Sequence, residues 1–209
     1  MRVDRSIISR TADAYSCLAD EFISATSSYL RYPGLDAELR EFAVGLPEGA
    51  VLDVGCGSGR DSLFLKSLGR QLVASDISSA MLRRLRPTAL RGSLVSCEVT
   101  HLAFGDNSFA GVIASGVLLH VPRDSCLAAL REIERVLIPD GSAAISMKRG
   151  QGEGWRSTEE FPLERWFSYY MPSEFAGLCE KAGLSIGNVA ITERRDWFVV
   201  IAVKGLRAS

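Results

Sequence analysis

The sequence is poor in the residues that build metal centres and disulfide frameworks. Its 209 residues include only two histidines and five cysteines. The cysteines are odd in number and scattered, and none forms a C-x-x-C pair, so we expect neither a zinc site nor a disulfide framework. We predict no bound metal, and reduced, mostly buried thiols at Cys17, Cys56, Cys97, Cys126 and Cys179.

The chain also lacks an excess of either charge and any long apolar run. Lys and Arg number 24 against 25 Asp and Glu, which gives a formal net charge of -1. Without a positive surface field to hold a phosphate backbone, we expect no nucleic-acid substrate. Uncharged apolar runs such as residues 198–203 are too short to cross a bilayer, and residues 1–5 lack the apolar core of a secretion signal. We therefore expect a cytoplasmic protein with no membrane partner.

The sequence does contain a glycine-rich turn between a strand and a helix. An apolar strand at residues 51–54 carries Asp53, and Gly55, Gly57 and Gly59 follow at every second position before an amphipathic run. Alternating glycines let the backbone pass where a Cβ would collide with a bound molecule, and a helix N-terminus presents free amides. The pattern predicts a ligand-binding turn, with a spacing that differs from the dinucleotide fingerprint G-x-G-x-x-G.

A second acid ends the next apolar strand. Asp76 follows residues 71–75, about twenty residues after the turn, where α/β nucleotide sites place the acid that binds the ribose hydroxyls. An acid at this position disfavours a 2′-phosphate on the ligand. Alternatively, Asp76 caps the helix that begins near Ser78.

Strands and helices alternate through the middle of the chain, which predicts a parallel, doubly wound α/β sheet. At 209 residues and 47% hydrophobic content, the chain fits one domain with a single sizeable core. We divide that domain into a helical lid at residues 1–47, a core at 48–148, an insertion at 149–172, and a C-terminal helix and hairpin at 173–209.

Local signals place the elements around this core. One lid helix is expected over residues 6–30 and a second near 35–44. A helix from about Asp124 is expected to end at Pro139-Asp140-Gly141, which turns the chain. The strands at 184–192 and 197–203 are joined by only a short charged turn at 193–196, so they should pair as an antiparallel hairpin.

Three further motifs follow in order: L-A-F-G-D-N-S-F at residues 102–109, V-L-L-H-V-P at 117–122 and R-V-L-I-P-D-G at 135–141. Together with the glycine turn and Asp76, they resemble the class I S-adenosylmethionine-dependent methyltransferases, in particular the small UbiE-like or methyltransferase type 11 branch. That branch usually shows L-P-F-x-D-x-S-F, L-x-H-V-P and R-V-L-x-P-G-G. The resemblance covers most of the chain and implies a Rossmann-like, seven-stranded, mostly parallel sheet whose seventh strand is antiparallel. It implies S-adenosyl-L-methionine as cofactor.

The resemblance also implies cofactor contacts from each motif. Asp53 would lie beneath the methionine end, Met81 would pack near the adenine, and Tyr15 would cover the cofactor. Glu98 stands where the family usually has an Asp that accepts a hydrogen bond from the adenine amino group. The alternative interpretation is that Glu98 is a surface acid. The predicted cofactor set is Tyr15, Asp53, Gly55, Cys56, Gly57, Gly59, Arg60, Asp76, Ile77, Met81, Glu98, Val99 and Ser115.

Two positions depart from the branch's pattern. Ala110 stands where an Asp usually follows the Phe of S-F-D, and we expect this change to affect local packing rather than chemistry. Asp140 replaces the first glycine of P-G-G, which is tolerable because Asp is common in turns.

Methyl transfer from a sulfonium is an in-line displacement of an activated group, so the protein must chiefly align the nucleophile and exclude water. A base helps when the acceptor is a hydroxyl or a protonated amine. His120, which follows a strand end facing the cofactor, is the catalytic candidate. Its alternative is a packed structural residue, and His101 is interpreted as a loop residue.

The resemblance places the acceptor under the N-terminal helices and the insertion. The candidate substrate residues are Lys148, Arg149, Trp155, Tyr169 and Tyr170, and the alternative is a solvated hairpin with an aromatic core. No N-P-P-Y-like tetrapeptide follows the fourth strand and no Pro-Cys pair occurs, which disfavours methylation of a nucleic-acid base. We expect methylation at O or N of a metabolite, a natural-product intermediate or a short peptide, by a monomer or homodimer.

Two other functions stay open at this point. One is a non-catalytic protein that binds S-adenosylmethionine as a sensor or partner subunit. The other is a nicotinamide-dependent oxidoreductase, which the G-x-G-x-G spacing opposes.

Overall fold

The computed structural model describes residues 5–191 and 196–205. A seven-stranded sheet in the order β3-β2-β1-β4-β5-β9-β8 forms its centre. The strands β1 to β5 run parallel, and β9 pairs antiparallel with both β5 and β8. The sheet strands are β1 (Val51–Val54), β2 (Leu72–Asp76), β3 (Leu94–Ser96), β4 (Phe109–Ser115), β5 (Leu137–Lys148), β8 (Leu184–Ile191) and β9 (Trp197–Lys204).

This topology confirms the predicted doubly wound, mostly parallel sheet with its antiparallel C-terminal hairpin. The hairpin strands pair from Leu184 with Lys204 to Ile191 with Phe198. Most of the predicted turn between them, residues 193–195, lies outside the described residues.

Among the described residues, seven α-helices cover the sheet and its carboxyl edge. Neighbouring residues of a strand face opposite sides, so Leu52 packs in one core with α6 and α7, while Val51 packs in a second core with α3, α4 and α5. All four residues of β1 are buried, as expected for a parallel strand covered on both faces. The helices are α1 (Arg5–Cys17), α2 (Ala19–Thr26), α3 (Leu35–Gly45), α4 (Arg60–Ser67), α5 (Ser79–Leu85), α6 (Arg123–Val136) and α7 (Pro172–Lys181).

The lid differs from the single helix predicted over residues 6–30. It consists of α1, α2 and a 3-10 turn at Tyr29–Arg31. Leu18 interrupts the helix with a ψ of 13°, and its side chain is buried. Hydrogen bonds continue across the break, from Leu18 N to the Ala14 carbonyl and from Phe22 N to the Leu18 carbonyl. The break is therefore a bend between two short helices.

The expected end of the α6 helix also needs correction. The helix ends at Val136, and Leu137 already begins β5, so Pro139-Asp140-Gly141 lies within that strand. The β4–β5 register shifts between Phe109 and Gly111, and Asp140 takes a φ of 61°. The segment forms a bulge near the start of β5. The bulge absorbs the extra residues, so β5 continues to pair with β4.

The insertion forms a small antiparallel sheet of β6 (Glu153–Arg156) and β7 (Arg165–Ser168). This sheet packs against α1 through a hydrogen bond from Trp166 N to the Thr11 hydroxyl, at 3.1 Å. Within the described residues, no helix is both long enough and apolar enough to cross a membrane.

The β5 bulge predicts a contrast between two glycines. A Cβ on Gly141 would lie 2.8 Å from the Ile138 carbonyl oxygen and 3.1 Å from the Ala110 carbonyl oxygen, whereas a Cβ on Gly177 in α7 would meet nothing within 4 Å. We expect Gly141→Ala to lower the free energy of unfolding by about 1–3 kcal/mol, because backbone atoms cannot move aside easily. Gly177→Ala, the matched control, should raise it by roughly 0.5–1 kcal/mol. Denaturant unfolding of both variants measures this difference, and equal effects would contradict the bulge geometry.

Candidate functional site

The candidate site lies at the carboxyl ends of β1, β2 and β4, where the strand order reverses between β1 and β4. Open α/β sheets bind ligands at such switch points. Two adjoining cavities occupy this edge. The first, here called the turn cleft, has a volume of about 130 Å³, and the second, called the aromatic cavity, has about 410 Å³. Both are lined by Tyr15, Phe22, Gly55, Gly57, Ser115, Gly116 and His120.

The glycine turn forms the floor where the two cavities meet. Gly55, Gly57 and Gly59 have φ values of 64°, 50° and 72°, which L side chains rarely adopt. A Cβ on Gly55 would lie 2.4 Å from Val117 Cγ2, and one on Gly59 would lie 2.8 Å from Leu85 Cδ2. At these two positions a Cβ would therefore first meet the protein's own side chains, while Gly55 and Gly57 also line both cavities. Gly59 lines neither cavity and instead caps α4.

Asp76 ties the glycine turn to β2. Its Oδ2 accepts a hydrogen bond from Gly57 N at 2.9 Å, and its Oδ1 accepts one from Ser78 N at 2.7 Å. Burial raises the pKa of the Asp76 carboxyl, and these amide hydrogen bonds oppose that rise. Each carboxylate oxygen keeps a further acceptor position, so a ligand hydroxyl can still bind. The capping role belongs to Ser78, whose hydroxyl accepts from Met81 N.

Asp53 lies buried beneath the turn and lines the aromatic cavity. The Ser62 hydroxyl donates to its Oδ2. Burial and the neighbouring Asp61 carboxylate raise the pKa of Asp53 well above its usual range. Within residues 5–191 and 196–205, no cluster of three His, Cys, Asp or Glu side chains is arranged to hold a metal ion.

The far end of the turn cleft is lined by residues after β2 and β3. Ile77, Met81, Glu98 and Val99 all contribute to its wall. Glu98 is half-buried rather than a surface acid, and one of its carboxylate oxygens accepts from the Thr100 hydroxyl. With Cys56 and Arg60 in the aromatic cavity, every member of the predicted cofactor set except Gly59 lines one of the two cavities.

His120 lies at the junction of the cavities in a defined hydrogen-bonded state. Its Nδ1 lies 2.6 Å from the Trp166 carbonyl oxygen, which can only accept, so Nδ1 carries the proton. Nε2 then accepts from the Tyr15 hydroxyl at 2.8 Å. Burial is the main cause that lowers the pKa of His120 to about 3, and the charges of Arg165 and Lys148 add to it. The imidazole is therefore neutral at pH 7.

Of the predicted substrate set, only Lys148 lines the aromatic cavity. The Arg149 amide donates to the Asp196 carbonyl, and the Arg149 guanidinium lies 3.9 Å from the Asp196 carboxylate. Trp155 packs edge-on against Trp166 on the other face of the small sheet, and Tyr169 stacks at 6.2 Å on Phe167. Tyr170 is buried in the main core beside Phe175.

Sequence reasoning missed the residues that form most of the aromatic cavity. Arg165 and Phe167 lie on one face of β7 and line the cavity, whereas Trp166 between them does not. The two-residue alternation of a strand could have identified this pair within the aromatic run. Phe161 and Trp197 carry no comparable local signal. The aromatic side chains of the cavity are Tyr15, Phe22, Tyr32, Phe161, Phe167 and Trp197.

Ion pairs tie the lid to the insertion above both cavities. Arg10 in α1 pairs with Glu164 at 2.7 Å, and Arg31 after α2 pairs with Glu160. Both pairs are substantially exposed, so each contributes little on its own. The part-buried Tyr15–His120 hydrogen bond also joins the lid to the segment after β4, as the Ser16–Ser78 hydrogen bond joins it to the start of α5.

Comparisons with known proteins agree with this arrangement. The family described as "Methyltransferase domain" matches residues 51–141. The 18S rRNA (guanine-N(7))-methyltransferase bud23 of Schizosaccharomyces pombe is 33% identical over 194 residues, which cover 87% of this chain and 68% of that protein. The mitochondrial arginine-hydroxylase NDUFAF5 of Danio rerio is 33% identical over 150 residues, 71% of this chain but only 45% of the relative.

A solved structure shares the fold over nearly the whole chain. The 1,6-didemethyltoxoflavin-N1-methyltransferase of Burkholderia thailandensis, with bound 1,6-didemethyltoxoflavin and S-adenosylhomocysteine, superimposes with a TM-score of 0.77 at 21% identity. The match covers 99% of this chain and 92% of that one.

The state of His120 predicts a specific pH dependence of stability. Below pH 6.5 the unfolded chain protonates His120 while the folded chain does not, so acid favours unfolding. The free energy of unfolding of the wild type should therefore fall relative to His120→Gln, by up to about 1.4 kcal/mol per pH unit between pH 6.5 and 4.5. Denaturant unfolding of both proteins across this range measures the difference and cancels the titration of all other groups. His101→Gln controls for the replacement of a histidine, and a pH-independent difference for His120→Gln would contradict the neutral buried imidazole.

Proposed function

Because this chain belongs to the class I S-adenosylmethionine-dependent methyltransferases, we propose that it transfers a methyl group to an oxygen or nitrogen atom of a small molecule. S-adenosylhomocysteine would be the second product. The observation that carries this proposal is the junction of the two cavities at Tyr15 and His120, with the glycine turn and Asp76 on one side and aromatic walls on the other.

The turn cleft supports binding of the ribose and adenine of this family's cofactor. Asp76 would bind the ribose hydroxyls through the acceptor positions that Gly57 and Ser78 leave free. The apolar side chains of Met81 and Val99 would face the adenine, with Glu98 beside them. Bound S-adenosylmethionine supplies an activated methyl group on a sulfonium.

The aromatic cavity supports a small acceptor. Its volume of about 410 Å³ falls within the range of roughly 300–1,000 Å³ that is typical of small-molecule pockets. Asp53, Cys56 and Arg60 of the predicted cofactor set also line it, so the acceptor would share the cavity with the methionine end of the cofactor. The lid and the insertion cover it, and two ion pairs hold them together. The chain's net charge of -1 supplies no field for a phosphate backbone.

His120 is the proposed proton acceptor. It is neutral, Nδ1–H is fixed by the Trp166 carbonyl, and the Nε2 lone pair points to the Tyr15 hydroxyl at the cavity junction. A proton from the acceptor can reach Nε2 directly or by exchange through that hydroxyl. Burial and the charges of Arg165 and Lys148 lower the pKa of the imidazole, so it is a weak base unless a bound anion offsets these charges. Tyr15 and His120 would otherwise align the acceptor and exclude water.

A guanine base in RNA is the second candidate acceptor. The yeast relative that covers 87% of this chain is named as an rRNA (guanine-N(7))-methyltransferase. If RNA is the substrate, its affinity for the protein should fall steeply as the salt concentration rises. If a small molecule is the substrate, it should bind in the aromatic cavity without RNA. Filter binding of ribosomal RNA at two salt concentrations separates these candidates.

Calorimetric titration with S-adenosylhomocysteine tests the cofactor site. We expect micromolar binding by the wild type and a loss of roughly tenfold or more in Asp76→Ala, because hydrogen bonds to a charged carboxylate are removed. Asp124→Ala, which removes an exposed acid at the start of α6, is the matched control and should bind as the wild type does. Wild-type affinity in a folded Asp76→Ala protein would contradict the ribose assignment.

Turnover by His120→Ala tests the proton acceptor. For a hydroxyl acceptor, we expect turnover to fall by about 10² to 10⁴ with little change in affinity for S-adenosylhomocysteine. Tyr15→Phe removes the hydroxyl that donates to His120 Nε2. This variant distinguishes a proton relay through Tyr15 from direct proton transfer to His120. A lower melting temperature with normal turnover would instead assign a structural role to His120.

A further inference from the structure

Two cations of the aromatic cavity, Arg165 and Lys148, have no ion-pair partner in the described part of the chain. Arg165 is only 3% exposed, and its Nε is buried without a hydrogen-bond partner. Its two other contacts are long, at 3.5 Å each, from Nη1 to the Tyr15 hydroxyl and from Nη2 to the Phe161 carbonyl. Lys148 is half-buried, and its Nζ lies 5.6 Å from the centre of the Trp197 ring.

The other charges around the cavity already have partners. Arg31 pairs with Glu160, and Arg60 pairs with Asp61 through two hydrogen bonds. The Asp53 carboxyl accepts from the Ser62 hydroxyl. None of these carboxylates forms an ion pair with Arg165 or Lys148, and the charges of Glu160 and Asp196 act on the two cations only at longer range. The cavity is lined by more cationic than acidic side chains.

This arrangement costs folding free energy. A buried cation without a counter-charge is unfavourable, and so is a buried N–H without an acceptor. The guanidinium carbon of Arg165 and the Nζ of Lys148 both lie 5.5 Å from the centre of the Phe167 ring, so two like charges approach the same ring. Burial and the charge of Arg165 lower the pKa of Lys148. A bound oxyanion would relieve these costs together.

The walls of the cavity indicate what carries the anion. The guanidinium is stacked among the rings of Phe161, Tyr15 and Phe167, at 5.2–5.5 Å. Flat aromatic walls favour a planar ring as occupant, and the planar fork of an arginine matches a carboxylate with two parallel hydrogen bonds.

We propose that the methyl acceptor is an aromatic carboxylate, whose carboxylate is bound by Arg165 and Lys148 while its ring packs between Phe161, Phe167 and Trp197. This inference rests on the proposed function and specifies its acceptor. The carboxylate anchors the acceptor beside Tyr15 and His120. Its negative charge also offsets the two cations that oppose protonation of the imidazole.

Titration of the full chain, saturated with S-adenosylhomocysteine, with benzoate and benzamide tests the anchor. Benzamide keeps the ring and shape but removes the charge. We expect benzoate to bind at least tenfold more tightly than benzamide, with that preference lost in Arg165→Met and in Lys148→Gln. The indole N–H resonance of Trp197 reports occupancy of the cavity by NMR.

Arg10→Met is the matched control. Arg10 also stacks on an aromatic ring, at 3.9 Å from the centre of Trp155, but it is exposed and paired with Glu164. This variant should keep the preference for benzoate. Equal binding of benzoate and benzamide by the wild type, or tighter binding of phenyl phosphate than of benzoate, would overturn the carboxylate assignment.

A stability measurement distinguishes an anion site from a structural arginine. If Arg165 is held unpaired for a ligand, Arg165→Met should raise the melting temperature of the ligand-free protein by roughly 2–4 °C, because a buried uncompensated charge is removed. A clear fall in the melting temperature would instead mark Arg165 as structural and overturn the inference. Failure to bind S-adenosylhomocysteine would count against the proposed function, whereas binding it without any preference for benzoate would count only against the carboxylate anchor.

Discussion

The hydrogen bond between the Tyr15 hydroxyl and His120 Nε2 connects the two halves of the site. Tyr15 belongs to the lid, His120 follows β4, and the other ring nitrogen of His120 is bonded to the Trp166 carbonyl in the insertion. One neutral imidazole therefore holds together the sheet, the lid and the insertion. Both cavities meet at this point, so the same contact that closes the roof would also place the proposed proton acceptor between the cofactor and the methyl acceptor.

Charge is distributed unequally around this junction. Two buried carboxyl groups lie beside the glycine turn, Asp76 in the turn cleft and Asp53 in the adjoining wall of the aromatic cavity, and burial raises the pKa of both. On the acceptor side, Arg165 and Lys148 remain without ion-pair partners among the described residues. A methyl donor that carries a positive charge and an acceptor that carries a negative one would fit these opposite fields, and each would reduce the cost of keeping the protein's own charges buried.

The sheet and the glycine turn could be predicted from the sequence because their signals are local. The alternation of strand and helix patterns predicts a parallel sheet. Gly55, Gly57 and Asp76 have the sequence spacing that is typical of such a ligand-binding cleft. The acceptor side could not be predicted in this way. Tyr169 and Tyr170 adjoin the correct strand but do not line the cavity, whereas Trp197 reaches it from a strand nearly fifty residues after Lys148. Whether Arg165 has an ion-pair partner depends on tertiary packing, and no pattern in the sequence predicts it.

The most direct test of this account is mass spectrometry of a cell extract incubated with the protein and methyl-labelled S-adenosylmethionine. We expect label in one small molecule, an aromatic carboxylate, and much less of this product with Asp76→Ala and with Arg165→Met. Label in ribosomal RNA or in protein, with none in small molecules, would contradict the central claim that the aromatic cavity binds the methyl acceptor.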